Sequence, residues 1–239
     1  MTFCIFKKKQ VWTEPLTGIN FVLIPGGNFE IGDHFEEGDQ DERKTRRIEI
    51  KSFFLGQTEV TQNEWSELMG TNPSRFKGGN NPVEKISIND IKKFINKLNQ
   101  LHRHKFFFRL PTEAEWAFAC KEGGKRVRFC NGKNTSRKSE IHFQRKKTSA
   151  VKSYAPNSFG LYDMSGNVWE WTCSEYSSHY HGNEEKCSTN SFYKFNALRG
   201  GSWDSDLRGV RASNRNVIYG GYGPSDVDSS RGFRLAREK

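Results

Sequence analysis

Residues 160–171 read GLYDMSGNVWEW. Ser165, Gly166 and Asn167 mark a tight turn, because small and amide-bearing residues tolerate the backbone angles that turns require. Asp163 and Glu170 bracket it, where their carboxylates can accept hydrogen bonds from turn amides. Trp169 and Trp171, with the later Trp203, are expected in the core.

The region before this turn, residues 121–152, carries eleven Lys or Arg against two Glu, which is +9 of the chain's formal +10. Such a run can bind nucleic acid or another anionic surface. It lacks the interleaved aromatics of single-strand platforms. A solvated insertion, exposed and dispensable for folding, is the favoured reading, and no nucleic-acid partner is expected. Further upstream stand three helices with start signals. Thr61 and Glu64 frame a capping box ahead of NEWSELM, closed by Gly70. Ser87 and Asp90 do the same for INDIKKFINKLNQLH, where Ile88, Ile91, Phe94, Ile95 and Leu98 share one face. Thr112 and Glu115 open EAEWAFAC, closed by Gly123 and Gly124. FVLIPGGNFEIG (21–32) reads as strand, turn and strand, and RRIEIKSFFLGQ (46–57) as a further strand, with the acidic stretch HFEEGDQDE between them as a loop. RGFRLAREK closes the chain as a strand candidate. This order of elements predicts an α+β fold that is loop-rich in its second half.

The chain has 239 residues, within reach of a single domain. It has no apolar run of 18 residues, so no membrane span is expected. MTFCIFKKKQ is too short and too charged for a signal peptide; Cys4 is a candidate lipid-attachment site, against an ordinary frayed terminus. Cys173, His179, His181 and Cys187 are zinc-type ligands at symmetric spacing, with a disulfide or free thiols as the alternatives.

PGGNFEIG, FFLGQTEVTQNEW, NPVEKIS, FRLPTEAEWAFA, NSFGLYDMSGNVWEWT, LRGGSW and GFRLA occur in the order found in formylglycine-generating enzymes. The chain resembles that family, the sulfatase-modifying-factor domain, over about residues 21–119 and 154–237. The resemblance implies a C-type lectin-like fold of the formylglycine-generating-enzyme subtype, with N- and C-terminal strands paired, in a single domain. It also implies a calcium site at Asp163, Gly166, Val168 and Glu170, through carboxylate and carbonyl oxygens. Active members carry two cysteines after the RGGS-aromatic string that bind copper(I). Here those positions are Ser205 and Val210, which offer no thiolate. The oxygenase reading is therefore the alternative, and no catalytic residue or required cofactor is assigned.

A second branch of the same fold resembles this chain more closely: the variable proteins of diversity-generating retroelements. Their C-terminal segment is rewritten by adenine-directed mutagenesis. Template AAC and AAT codons so altered cannot encode Lys, Glu, Gln, Met or Trp. Residues 204–231 contain none of these five types. The resemblance implies a non-enzymatic display protein, at the cell surface or outside the cell, for an unidentified protein or other macromolecular ligand. The candidate ligand-binding positions are Asp204, Ser205, Asp206, Gly209, Asn216, Val217, Ile218, Tyr219, Tyr222, Asp226, Val227 and Asp228. Tyr219 and Tyr222 are the expected anchors, since Tyr buries much area at low entropic cost. Val217 and Ile218 read either as an apolar spot on that surface or as a buried loop anchor. Arg208, Arg211, Arg215 and Arg234 read as the frame.

Overall fold

The computed structural model describes residues 10–188, 195–217 and 227–239. Three strands open the chain: β1 (Val11–Thr13), β2 (Asn20–Ile24) and β3 (Gly27–Ile31). One helical turn, α1 (Gln40–Arg43), interrupts the acidic stretch expected as a loop. β4 (Arg46–Ile50) and β5 (Phe53–Gly56) follow, so the single strand expected over 46–57 is two. β3 pairs with β4 in a two-stranded ribbon, whereas β2 and β5 pair in a larger sheet. A side chain at Gly26 would lie 2.5 Å from the Ile50 carbonyl, so the chain can change sheets there only without a Cβ.

The three expected helices form with their expected N-terminal caps, although the last of them ends at Cys120 with Lys121 as its C-cap, ahead of the Gly123–Gly124 pair expected to close it. In α2 (Gln62–Met69), α3 (Ile88–Leu101) and α4 (Glu113–Cys120), the Ser or Thr hydroxyl accepts from the third backbone amide, while the Glu or Asp there accepts from the cap amide. β6 (Phe108–Arg109) lies between α3 and α4. The second half holds β7 (Trp169–Glu175), β8 (Asn196–Arg199), β9 (Arg215–Asn216), β10 (Arg231–Gly232) and β11 (Ala236–Glu238). The five-stranded sheet runs β1-β2-β5-β11-β6, and the four-stranded sheet runs β10-β7-β8-β9. The last strand thus joins the N-terminal strands in one sheet, through β5.

Two apolar cores result. One packs α2 and α3 under the five-stranded sheet, with Trp65 stacked on Phe94 and both edge-on to Phe233. The other wraps α4, whose residues are buried on nearly every side, between β2, β3, β4 and the 161–164 turn. Trp169 and Trp171 are buried as expected; Trp203 is only half-buried, edge-on to Phe76 and donating Nε1–H to the Ser229 carbonyl at 3.1 Å.

The basic stretch 121–152 departs most from expectation. Most of its charges are on the surface, but Phe129, Ile141 and Phe143 are buried with Val210 in a third apolar cluster. Cys120 and Cys130 form a disulfide, and the buried Lys121 donates Nζ–H to the Gly32 carbonyl at 2.5 Å. Burial and the nearby Arg199 push the Lys121 pKa down to about 7. The segment is a structural layer and not a solvated insertion: a count of charges does not reveal three large apolar residues spaced so that they turn inward.

Candidate functional site

The 202–217 segment begins at Gly200 and Gly201, both at positive φ. A side chain at Gly201 would lie 2.6 Å from the Gly209 carbonyl. The loop that follows closes on itself. Ser205 Oγ accepts from the Ser202 amide at 3.0 Å; Asp206 Oδ1 accepts from the Gly209 amide at 2.8 Å. Asn214 Nδ2 donates to the Gly209 carbonyl at 3.0 Å. The basic segment braces it from outside, with the Gln144 and Arg145 amides donating to the Ser205 and Trp203 carbonyls and the Ala212 amide donating back to Arg128.

Ser205 and Val210, the positions where active enzymes carry thiolates, hold a hydroxyl bonded within the loop and a fully buried isopropyl group. Phe129, Ile141 and Phe143 pack against Val210. The place that the resemblance assigns to one soft-metal ligand is thus filled by hydrocarbon.

Two buried Arg–Glu pairs anchor the segment, each across more than 100 residues of sequence, and a third, Arg234–Glu170, holds the chain outside it. Arg211 grips Glu42 of α1 with two bonds, at 2.8 and 2.9 Å. Arg215 grips Glu113 of α4 at 2.6 and 2.9 Å, and Arg199 reaches the same carboxylate at 3.4 Å. The Arg215 guanidinium lies between the rings of Tyr176 and Tyr180, at 4.8 and 4.2 Å. Arg234 grips Glu170 at 2.6 and 2.7 Å. Burial pushes the Glu113 and Glu42 carboxyls up, but Arg215 and Arg211 outweigh it and hold both below the usual range. Arg208, read from the sequence as frame, is instead exposed and bonds Asp39 at 2.6 Å.

Asp204, Asp206, Asn216 and Val227 are exposed, and Ser205, Gly209 and Asp228 are half-buried. The Asn214 bonds join the 204–209 loop to the approach to Asn216, and Trp203 joins it to Ser229 beside Asp228. Val217 is a correction: it is 6% exposed, because Arg215, Asn216 and Val217 alternate in, out, in, as residues do along a strand. Ile218, Tyr219, Tyr222 and Asp226 lie outside the described residues. Leu207, 39% exposed on the same loop, was not expected there; a lone Leu in a polar run carries no sequence signal. Leu207, Arg208 and Arg211 face Arg128, Phe129 and residues 134–136 across a cleft of about 560 Å³. One wall comes from the basic segment and another from the 207–211 loop, and Glu37 also lines the cleft.

The calcium set does not fit. Arg234 occupies both Glu170 oxygens and the Trp116 indole donates to one of them at 2.8 Å, so a cation is already seated there. Asp163 accepts from the Lys152 amide, and burial pushes its pKa up to about 6 despite that bond and the Arg234 charge. Glu59 nearby is fully buried with neither oxygen bonded, and burial with the Asp163 charge raises it well above the usual range. Gly166 and Val168 stay within the turn, where a side chain at Gly166 would lie 2.2 Å from the His142 carbonyl. Zinc is excluded at Cys173 and Cys187, which form a disulfide, leaving His179 and His181 exposed.

Asp163 supports a direct test. Its folded pKa is raised, so its contribution is full below about pH 4 and is lost as pH rises through about 6. Asp163→Asn keeps the bond from Lys152, and Asn suits the φ of 57°. At pH 7.5 the variant is expected to unfold at higher urea, by on the order of 1 kcal/mol, and to match the parent at pH 4.

Comparison with known proteins agrees with this geometry. The solved structure titled Treponema denticola variable protein 1 is 25% identical, covering 97% of this chain and 99% of that one, with a TM-score of 0.80. PvdO from Pseudomonas aeruginosa is 26% identical over 98% and 100% of the two chains, with a TM-score of 0.81. The inactive Cα-formylglycine-generating enzyme 2 of Bos taurus is 26% identical over 94% of this chain and 91% of its own length. Residues 7–239 match the sulfatase-modifying factor enzyme 1-like domain. The fold is thus the loop-rich α+β, C-type lectin-like fold of these proteins, and the chain belongs to the sulfatase-modifying factor enzyme 1-like domain family.

Proposed function

We propose that this chain is a non-enzymatic binding protein at the cell surface or outside the cell, whose recognition surface is the 204–231 segment and whose ligand is an unidentified protein or other macromolecule. The observation that carries the reading is the division of labour around Val210. The position of a catalytic thiol is sealed by Phe129, Ile141 and Phe143, while Asp204, Asp206, Leu207, Arg208 and Asn216 stand exposed on a braced loop above it. Exposed loop side chains on a fixed scaffold are where specificity can change at little cost to stability. The cleft between the basic segment and residues 207–211 is lined by Leu207 and Phe129 together with Arg128, Arg208 and Glu37. The Cys120–Cys130 and Cys173–Cys187 disulfides favour an oxidising compartment. No described helix is long and apolar enough to cross a membrane. The likeness to Treponema denticola variable protein 1 and the absence of Lys, Glu, Gln, Met and Trp from 204–231 support retroelement diversification of this segment.

The test is a selection. A library randomised at 204, 206, 207, 208 and 216, displayed on the otherwise unchanged chain, is expected to yield binders to unrelated protein targets. Their thermal midpoints should stay within a few degrees of the parent. Library members that unfold in bulk would refute the display role. Turnover of a sulfatase-type cysteine peptide above a no-protein control, in air with copper(I), would refute the non-enzymatic reading.

A further inference from the structure

Residues 91–109, IKKFINKLNQLHRHKFFFR, contain six Lys or Arg and no Asp or Glu. α3 buries Ile91, Phe94 and Leu98 and turns Lys92, Lys93 and Lys97 outward. The chain then leaves the helix through a turn in which Arg103 and His104 both adopt positive φ, at 49° and 56°. Consecutive left-handed residues without glycine are uncommon. Arg103, His104 and Lys105 are all exposed on this turn.

Apolar side chains stand among these cations. Leu101 is 53% exposed, Phe107 52%, Val11 47% and Leu16 44%. They share one end of the molecule. His102 Nε2 bonds Glu14 Oε1 at 2.7 Å, and the Leu16 amide donates to that same oxygen at 2.8 Å, which brings the 14–17 turn beside Leu101. The Trp12 and Phe106 ring centroids are 4.9 Å apart, which brings β1 beside the turn that carries Phe106. The acidic neighbours are few and paired: Asp90 accepts from Lys93 at 3.1 Å, and Glu115 accepts from Arg109 at 2.6 and 2.7 Å. Glu14 is buried and engaged by His102 and the turn amides; Glu238, whose amide donates to the Phe107 carbonyl, lies 3.9 Å from Arg109. In the sequence Lys7, Lys8 and Lys9 come just before β1. The other exposed large apolar residues described, Phe195, Leu207 and Val227, lie in or beside the 195–229 region. Contacts of residues 202–217 run to Asp39, Glu42, Glu113 and 128–145, not to this end.

We propose that this end of the molecule, with Leu101, Arg103, Lys105, Phe107 and Leu16 at its tip, docks on the surface of an anionic lipid bilayer. Cations beside an anionic surface gain Coulomb energy, and exposed Leu and Phe gain by entering the headgroup boundary. A nucleic acid or other soluble polyanion would use the cations alone and leave Leu101 and Phe107 in water. The apolar tip therefore favours a membrane. The proposal does not depend on the display reading, because it involves none of its residues.

The experiment is co-sedimentation of the full chain with phosphatidylcholine vesicles, with and without about one-third phosphatidylglycerol, at low and high salt. Sedimentation is expected only with the anionic vesicles and is expected to weaken with salt. R103E/K105E should weaken binding at least about thirtyfold, the effect of two lost charges near the surface at about 1 kcal/mol each. L101S/F107S should also weaken it severalfold at unchanged net charge. Urea unfolding of both variants keeps misfolding separate from lost docking; should one misfold, R103Q/K105Q or F107S alone takes its place. Parent chain left in the supernatant with anionic vesicles would overturn the proposal. So would full binding by L101S/F107S together with equal competition by duplex DNA, which would mark a general polyanion face.

Discussion

Glu113→Gln is expected to lower the unfolding free energy by about 3–5 kcal/mol, the cost of stripping one partner from a buried ion pair. Glu113 is fully buried, and it faces two guanidiniums that are themselves buried. Glutamine keeps the shape and removes the charge, leaving Arg199 and Arg215 uncompensated. An exposed pair sets the contrast: Arg208→Ala, which removes the bond to Asp39, should change stability by less than about 1 kcal/mol. Urea unfolding at pH 7 measures both. The sign of the pH dependence is fixed as well. The folded pKa of Glu113 is depressed, so its stabilisation is present above about pH 4.5 and is lost as pH falls toward its folded value. The Gln variant should therefore lose less stability than the parent on acidification. Equal losses would mean that Glu113 does not carry the charge pairing.

Replacing residues 121–152 by a short Gly-Ser bridge is expected to abolish cooperative unfolding. Phe129, Ile141 and Phe143 each contribute about 1.5–3 kcal/mol by burial. The Cys120–Cys130 link, lost with the segment, adds about 2–4 kcal/mol in a small loop. Set against a typical 5–15 kcal/mol for a whole domain, little remains. Val210 and the underside of the 202–209 loop would also be opened to water. A sharp calorimetric transition within a few degrees of the parent would show that the layer is dispensable after all. Phe129→Ala tests the same cluster more gently, with an expected loss of about 3–5 kcal/mol.

The helices were legible because their signals are local. Thr61 with Glu64, Ser87 with Asp90 and Thr112 with Glu115 sit three residues apart, and each pair closes its box in the fold. The one-turn α1 was missed: its Asp39–Glu42 box stands in an acidic stretch without an apolar face, and part of its support comes from Arg211, far away in sequence. The frame arginines 211, 215 and 234 could be named from the sequence, but their partners could not, since nothing local links Arg215 to Glu113. Arg208 shows the limit of that reading, for it resembles them in sequence and lies outside. In 121–152 the dense charge concealed the inward residues, because hydrophobic periodicity is hard to read where the chain is neither helix nor strand. Asp163 and Glu170 looked like a cation pair until Arg234 was seen to hold Glu170.

The 202–212 loop is braced largely through main-chain atoms: the carbonyls of Ser205 and Trp203, the amide of Ala212 and the carbonyl of Gly209. Every amino acid carries the same carbonyl, and all but proline the same amide. A letter changed at 204, 206 or 207 leaves those main-chain bonds with the same donors and acceptors, and gives up at most the bonds that the Asp204 and Asp206 carboxylates accept from Ser202 and Gly209. The grammar of the loop is thus written in the backbone and its vocabulary in the side chains. A lineage can therefore search new meanings here without first relearning how to fold.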